Sequence, residues 1–131
     1  MSQSIKEKIS SLYISDENGN PIAYLASDNY PKHHSINLRM LLFEFDSSKD
    51  YYLNITIKDQ DNNELVNDTN KFNLDSVSSA LFTLKTPAFS IEKPNKIYTV
   101  TLNISLEEEK EKVISTNETY FKTRVNDDWK Q

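Results

Sequence analysis

Apolar and polar residues alternate most cleanly between Ile97 and Leu106, where Tyr98, Val100, Leu102, Ile104 and Leu106 interleave with Thr99, Thr101, Asn103 and Ser105. A period of two, rich in β-branched residues, predicts a half-buried strand. Tyr51 to Lys58 repeats the pattern, with Tyr51, Leu53, Ile55 and Ile57 on one face and Tyr52, Asn54, Thr56 and Lys58 on the other. Ile36 to Phe45 begins in phase at Ile36, Leu38, Met40 and Leu42, then puts Leu41, Phe43 and Phe45 on the opposite face. That change of phase predicts a bulge, or a strand covered on both sides at one end.

Ser10 to Ser15 and Ile22 to Ser27 are predicted to pair as a hairpin across Asp16-Glu17-Asn18-Gly19-Asn20, whose Asn-Gly step holds the chain's single glycine. Ala80 to Phe89 alternates at Ala80, Phe82 and Leu84 until Pro87, which implies an edge strand or a bend. Lys112 to Val125 closes the chain with Phe121, Thr123 and Val125 on one side, and Asp59-Gln60-Asp61-Asn62-Asn63 is a turn by composition. Helical spacing competes in two places. Ile5, Ile9 and Leu12 fall on one helical face, with Ser2 or Ser4 placed to cap, and Val77, Leu81 and Leu84 do so within Asp75 to Leu84. About seven short strands with turn signals roughly a dozen residues apart predict an all-β, antiparallel two-sheet sandwich, with room for a short N-terminal helix.

The chain of 131 residues favours one domain, with a core spanning about residues 9–126. That length buries enough surface to fold without staples. Cysteine is absent, which removes disulfides, a thiol nucleophile and cysteine-ligated zinc or iron–sulfur centres. Lys and Arg number 15 against 20 Asp and Glu, and neither half of the chain is basic, so no nucleic-acid partner is expected. The dense run Glu107-Glu108-Glu109-Lys110-Glu111-Lys112 is mixed in sign and reads as a solvated hairpin tip. Met1 to Tyr13 lacks an apolar stretch of signal-peptide length and no segment has membrane-span length, so the expected compartment is the cytoplasm, with no membrane partner. The Asn-x-Ser/Thr triplets at Asn54, Asn67, Asn103 and Asn117 then read as chance in a chain holding 14 Asn. Heavy use of Asn and Lys with only 2 Arg suggests AT-rich codons, hence a low-GC bacterium or its phage.

The Tyr51 to Lys58 strand before an Asp/Asn turn, the Tyr98-x-Val100-x-Leu102-x-Ile104 strand and the terminal Tyr120 to Val125 strand follow one another in an order that resembles bacterial immunoglobulin-like and fibronectin type III-like domains. The resemblance covers about residues 36–126 and rests on pattern. It departs from antibody domains in lacking a Cys pair and a Trp in a middle strand. What it implies is a two-sheet sandwich; binding, adhesion and structural roles all occur on that fold.

Candidate chemistry is sparse. His33-His34 is the sole source of imidazole, follows Pro31 and reads as a loop; neighbours on an extended strand would face opposite ways and could not serve one site. A metal site there, with Asp28 as third ligand, matches no zinc spacing. Asp59, Asp61 and Asn63 occupy the first three ligand positions of a calcium loop, but Glu64 and Asn70 stand where Gly and Glu belong, and Asp16, Asn18 and Asn20 form a similar fragment. Turn propensity accounts for both, so no metal and no cofactor is expected. One glycine excludes Walker and dinucleotide loops. Aromatic residues mark the candidate surface: Tyr52, on the polar face of its strand, and Trp129, beyond the last strand, are the expected protein contacts, while Tyr13, Tyr24, Tyr51 and Tyr98 read as core.

The sequence thus favours a non-enzymatic protein-binding or assembly module using a sheet face, an edge strand or a loop cluster. Unpaired edges also leave open a homo-oligomer. Two alternatives stand beside it: a phage or mobile-element protein, either virion component or inhibitor of a host system, and a small metal-dependent hydrolase built on His33 and His34.

Overall fold

In the computed structural model, which describes residues 7–46, 48–73, 79–106 and 112–126, strands dominate and no helix occurs among the described residues. Seven strands have seven residues or more: β1 (Lys8–Ser15), β5 (Asn37–Phe43), β6 (Asp50–Asp59), β7 (Glu64–Asn73), β8 (Ser79–Lys85), β10 (Ile97–Leu106) and β11 (Val113–Arg124). Four short segments join them: β2 (Pro21–Ile22), β3 (Tyr24–Ala26), β4 (Lys32–His34) and β9 (Phe89–Ile91). One sheet runs β2-β1-β5-β8 and a second runs β3-β11-β10-β6-β7, with β4 and β9 forming a small ribbon. The pairing is antiparallel except where β3 lies parallel to β11. This is an immunoglobulin-like β-sandwich.

The inward faces meet as the alternation predicts. Leu38, Met40 and Leu42 of β5, Ile55 and Ile57 of β6, and Val100, Leu102 and Ile104 of β10 are fully buried. Two aromatic groups close the ends of the core. Tyr51 packs edge-on to Phe45 at 4.9 Å between ring centroids and stacks on Phe72 at 5.4 Å, while Tyr98 stacks on Phe121 at 4.8 Å beside Phe89. The Tyr51 hydroxyl accepts the Asp46 N–H at 2.8 Å and donates to Glu7 at 2.8 Å. Burial first, then the carboxylate of Glu7, raises its pKa above the ordinary value.

Several expectations change. Ile9 and Leu12 belong to β1, where pairing with β5 overrides the helical spacing; residues 1–6, Ile5 included, lie outside the described residues. Leu81 and Leu84 lie in β8, held to β5 by backbone pairing, and Val77 lies outside the described residues. Ile22 to Ser27 is not one strand: β2 pairs with β1, then the chain crosses at Ala23 and β3 pairs with β11. Ile22 and Leu25, three apart, both pack on the core, which a single strand with period two forbids.

The phase change in β5 has another cause than the one expected. The bulge sits opposite, in β1 between Ile9 and Ser11, and Leu41 and Phe43 are not covered. Glu44, at φ 58°, kinks the backbone and turns Phe45 inward. His33-His34 is a strand, β4, paired with β9, and no loop. Tyr24 is exposed, with the Arg124 guanidinium 3.5 Å from its ring centroid, and Tyr13 is only half-buried, whereas Tyr51 and Tyr98 are core. The β10–β11 hairpin forms as predicted; its tip, residues 107–111, lies outside the described residues. Among the described residues no helix is long and apolar enough to cross a membrane.

Candidate binding surfaces

The outward face of the four-stranded sheet carries apolar side chains that the core does not use. Leu41 and Leu81 stand directly opposite each other on β5 and β8, and Phe43 follows two residues on; they are 39%, 54% and 41% exposed. Contiguous exposed apolar groups of this size mark interaction surfaces more often than chance. β8 is also the outermost strand of its sheet, and from Ser79 to Leu84 it has no charged residue. Its outward N–H and C=O groups are positioned to extend the sheet. Above the apolar residues the same face becomes polar: Ser15, Asn37, Arg39, Thr83 and Lys85 line a small recess beneath the Asp16–Asn20 loop. Gly19, at φ 87°, lets the Arg39 guanidinium approach so closely that a Cβ there would sit 2.7 Å from its Cζ.

The long edge strand of the other sheet, β7, is protected. On the core side of β7, Asp68 stands opposite Ile55 and Asn70 opposite Leu53, and Asn70 donates to Asp68 at 2.9 Å. Lys71 on the outer side lies 3.7 Å from Asp50. A charged group aimed inward on an edge strand penalises pairing with a further strand.

Tyr52 is half-buried on the outer face of the five-stranded sheet, in one row with Ser105 of β10 and Val113 of β11. Its neighbours form a polar ladder. The Asn54 amide donates to Asn67 Oδ1 at 2.7 Å and Thr69 Oγ1 at 2.9 Å, and Thr116 donates to Asn103 Oδ1 at 2.6 Å. Trp129, the second candidate contact, lies outside the described residues.

His33 and His34 border one cleft of about 400 Å³ at the end of the sandwich, together with Ser15, Glu17, Asn37 and Lys85. His33 is exposed and His34 half-buried. Burial lowers the pKa of His34, and the positive charges of Lys32 and Lys85 lower it further. Among the described residues neither imidazole hydrogen-bonds to a hydroxyl or carboxylate, and no three His, Asp or Glu side chains are grouped to hold a metal, Asp28 included.

The two calcium-like fragments are the same turn built twice. In each, the first Asp accepts the backbone N–H groups two and four residues on: Asp16 from Asn18 and Asn20, Asp59 from Asp61 and Asn63, all at 2.9 Å. The fourth residue, Gly19 or Asn62, takes positive φ. Those hydrogen bonds lower both carboxyl pKa values. Sequence reasoning missed Leu81, which shared a helical spacing, and the exposed Tyr120, whose hydroxyl donates to Glu118 at 2.9 Å. Leu41 and Phe43 were visible as a phase error, and that error was the signal.

No family model and no curated sequence matches the chain. Solved structures do. A β-glucuronidase from Bacteroides uniformis superposes with TM-score 0.67 at 14% identity over 89% of this chain and 14% of that one. A glycosyl hydrolase family 2 member from Bacteroides cellulosilyticus DSM 14838 gives 0.63 at 12% identity, over 88% and 15%, and a putative β-galactosidase from Bacteroides fragilis gives 0.60 at 15%, over 87% and 17%. The chain therefore spans about a seventh of the length of these larger proteins, and at such identity the likeness is one of fold.

Proposed function

We propose that the protein is a non-enzymatic protein-binding or assembly module that docks its partner on the outward face of the four-stranded sheet, with an extended segment of the partner added alongside β8. The observation that carries this reading is the exposed Leu41, Phe43 and Leu81 cluster beside the open edge of β8, which has no charge from Ser79 to Leu84. Backbone pairing would supply affinity, and alternate side chains reaching Leu41 and Leu81 would supply selectivity. Lys8, Arg39 and Lys85 on this face are offset by Asp16 and Glu17 at the adjoining recess, so the apolar cluster and not net charge selects the partner segment. Occurrence of the fold as a small part of larger chains supports the module reading.

The test places a photo-crosslinking amino acid at Leu81 and, as control, at Lys71 on the protected edge, in the native host. A single protein crosslinked from position 81 and not from 71, and lost when Leu41→Glu is added, is the expected result. Crosslinking from both positions alike, or none from 81, overturns the proposal. Crosslinking of the chain to itself, with mass rising with concentration in light scattering, overturns the foreign-partner form and identifies β8 as a homo-oligomer edge.

A further inference from the structure

The opposite face of the sandwich carries a second, chemically different feature. Along the outer face of the five-stranded sheet, Ser105 is the smallest residue of its row, flanked by Tyr52 and Val113. A bulge between Ile104 and Ser105 shifts the register with β11 at this point. The result is a depression of about 380 Å³ lined by Tyr52, Asn54, Thr69, Asn103, Ser105 and Val113. That volume is at the lower end of the roughly 300–1,000 Å³ of small-ligand sites.

None of the lining side chains is charged. Asn103 uses its amide oxygen to accept from Thr116, so its two N–H donors have no partner among the described residues. Thr69 accepts from Asn54 and keeps its own O–H to give. Ser105 is only 8% exposed, and its hydroxyl makes no hydrogen bond among the described residues. That hydroxyl lines the floor of the depression, where it offers a donor and an acceptor to a polar ligand. Tyr52 and Val113 stand on either side as apolar walls; Val113 is 50% exposed.

We infer that this depression binds a neutral, hydroxyl-rich ligand, a short stretch of an uncharged oligosaccharide. Neutral amide and hydroxyl groups pair with sugar hydroxyls in both senses, as donors and acceptors. The aromatic and aliphatic walls cover the C–H faces of a pyranose ring. The lining itself carries no charge, and the bordering Lys71, opposite Tyr52, has Asp50 at 3.7 Å, so an anionic glycan or a phosphate gains little here. This inference is independent of the docking surface proposed above, since the two sites lie on opposite sheets.

The experiment uses the full chain, labelled with 15N, titrated with neutral hexasaccharides of glucose (α-1,4 and β-1,4 linked), mannose (β-1,4) and xylose (β-1,4), and with hexagalacturonate as the anionic control. The expected result is saturable shift changes confined to Tyr52, Asn103, Ser105, Val113 and their strand neighbours with one or more neutral sugars. The expected Kd lies between about 10 μM and 1 mM, weakened at least tenfold by Tyr52→Ala and by Asn103→Ala at unchanged thermal midpoint. Should either variant unfold, the location of the shifts in the unmodified protein decides. Absence of saturable shifts with every neutral sugar at 10 mM, shifts mapping elsewhere, or preference for hexagalacturonate would overturn the inference.

Discussion

Replacing Thr123 by valine removes one hydroxyl from the best-connected polar position of the core. Thr123 is fully buried in β11 and holds the β9–β10 connection: its Oγ1 donates to the Lys93 carbonyl at 2.9 Å and accepts the Lys96 N–H at 3.1 Å. Its backbone is tied to the same segment, with the Asn95 N–H on its carbonyl at 2.7 Å and its own N–H on Lys96 O at 3.0 Å. Valine keeps the shape and deletes only the hydrogen bonds. Each is worth about 0.5–1.5 kcal/mol, and an N–H left without a partner costs more, so the loss comes to about 2 kcal/mol.

At about 2.1 cal/mol/K per residue, 131 residues have an unfolding entropy of about 0.28 kcal/mol/K, so the thermal midpoint should fall by about 7 °C. Urea unfolding should show a lower midpoint with an unchanged slope. Thr123→Ser, which keeps the hydroxyl, should lose only about 1 kcal/mol from the missing methyl. If valine stays within about 0.5 kcal/mol of the parent, or serine is the worse of the two, the hydroxyl is not what anchors this segment and the reasoning is refuted.

Two further outcomes concern pH and turns. Because burial and the lysines hold the His34 pKa below its ordinary 6.5, the unfolded chain takes up a proton first as pH falls. Stability should therefore decline as pH drops from about 7 through that value, until the folded protein is protonated as well. His34→Gln should flatten this limb in urea titrations at stepped pH; a limb that persists refutes the assignment. The lowered carboxyl pKa values of Asp16 and Asp59 act in a separate window, with their stabilisation lost only as pH falls through and below the ordinary value of 3.8. In the turns, Gly19→Ala combines positive φ with a close approach to Arg39 and should cost about 1–2 kcal/mol. Asn62→Gly at the matching position should stay within about 0.5 kcal/mol of the parent, since Asn already tolerates that conformation. Equal losses from the two substitutions in thermal melts would refute this account of the positive-φ position.

The sequence was most legible where one physical demand acted alone. Tyr51 to Lys58 and Ile97 to Leu106 have one face in the core and one in water, so alternation alone names their buried residues. It was less legible where backbone pairing outweighed spacing, as at Ile9, Leu12 and Leu81, whose helical intervals coincide with strand positions. The sheet switch at Ala23 has no local signal except the three-residue interval between Ile22 and Leu25, because the parallel partner β11 lies about a hundred residues away. The histidine pair illustrates the limit for sites. Expected as a loop, the pair is a strand with His33 exposed and His34 half-buried, yet a cleft at the end of the sandwich reaches both, because its walls come from several strand ends. The depression beneath Tyr52 depends on which residue lies opposite Ser105, and register of that kind is a product of folding.

The two long edge strands of this sandwich, β7 and β8, are treated differently, and that difference bears on what the protein does. An exposed strand edge invites uncontrolled pairing, so selection for a solitary molecule acts on both edges alike. β7 has the expected protection, with Asp68 and Asn70 turned toward the core side at the expense of apolar burial there. β8 has no inward charge: its core side carries Phe82 and Leu84, half-buried, and its outer side carries Leu81 directly opposite Leu41, with a charge only at its last residue, Lys85. On the five-stranded sheet the outer face beside edge strand β7 is mainly polar, with Asn54, Thr56 and Lys58 following Tyr52 along β6; beside β8 it is not. Instead, exposed backbone groups and exposed side chains coincide on one strand pair. A solitary molecule bears that coincidence only as a liability, whereas a molecule that adds a partner strand at β8 satisfies the edge and covers Leu41, Phe43 and Leu81 in a single step.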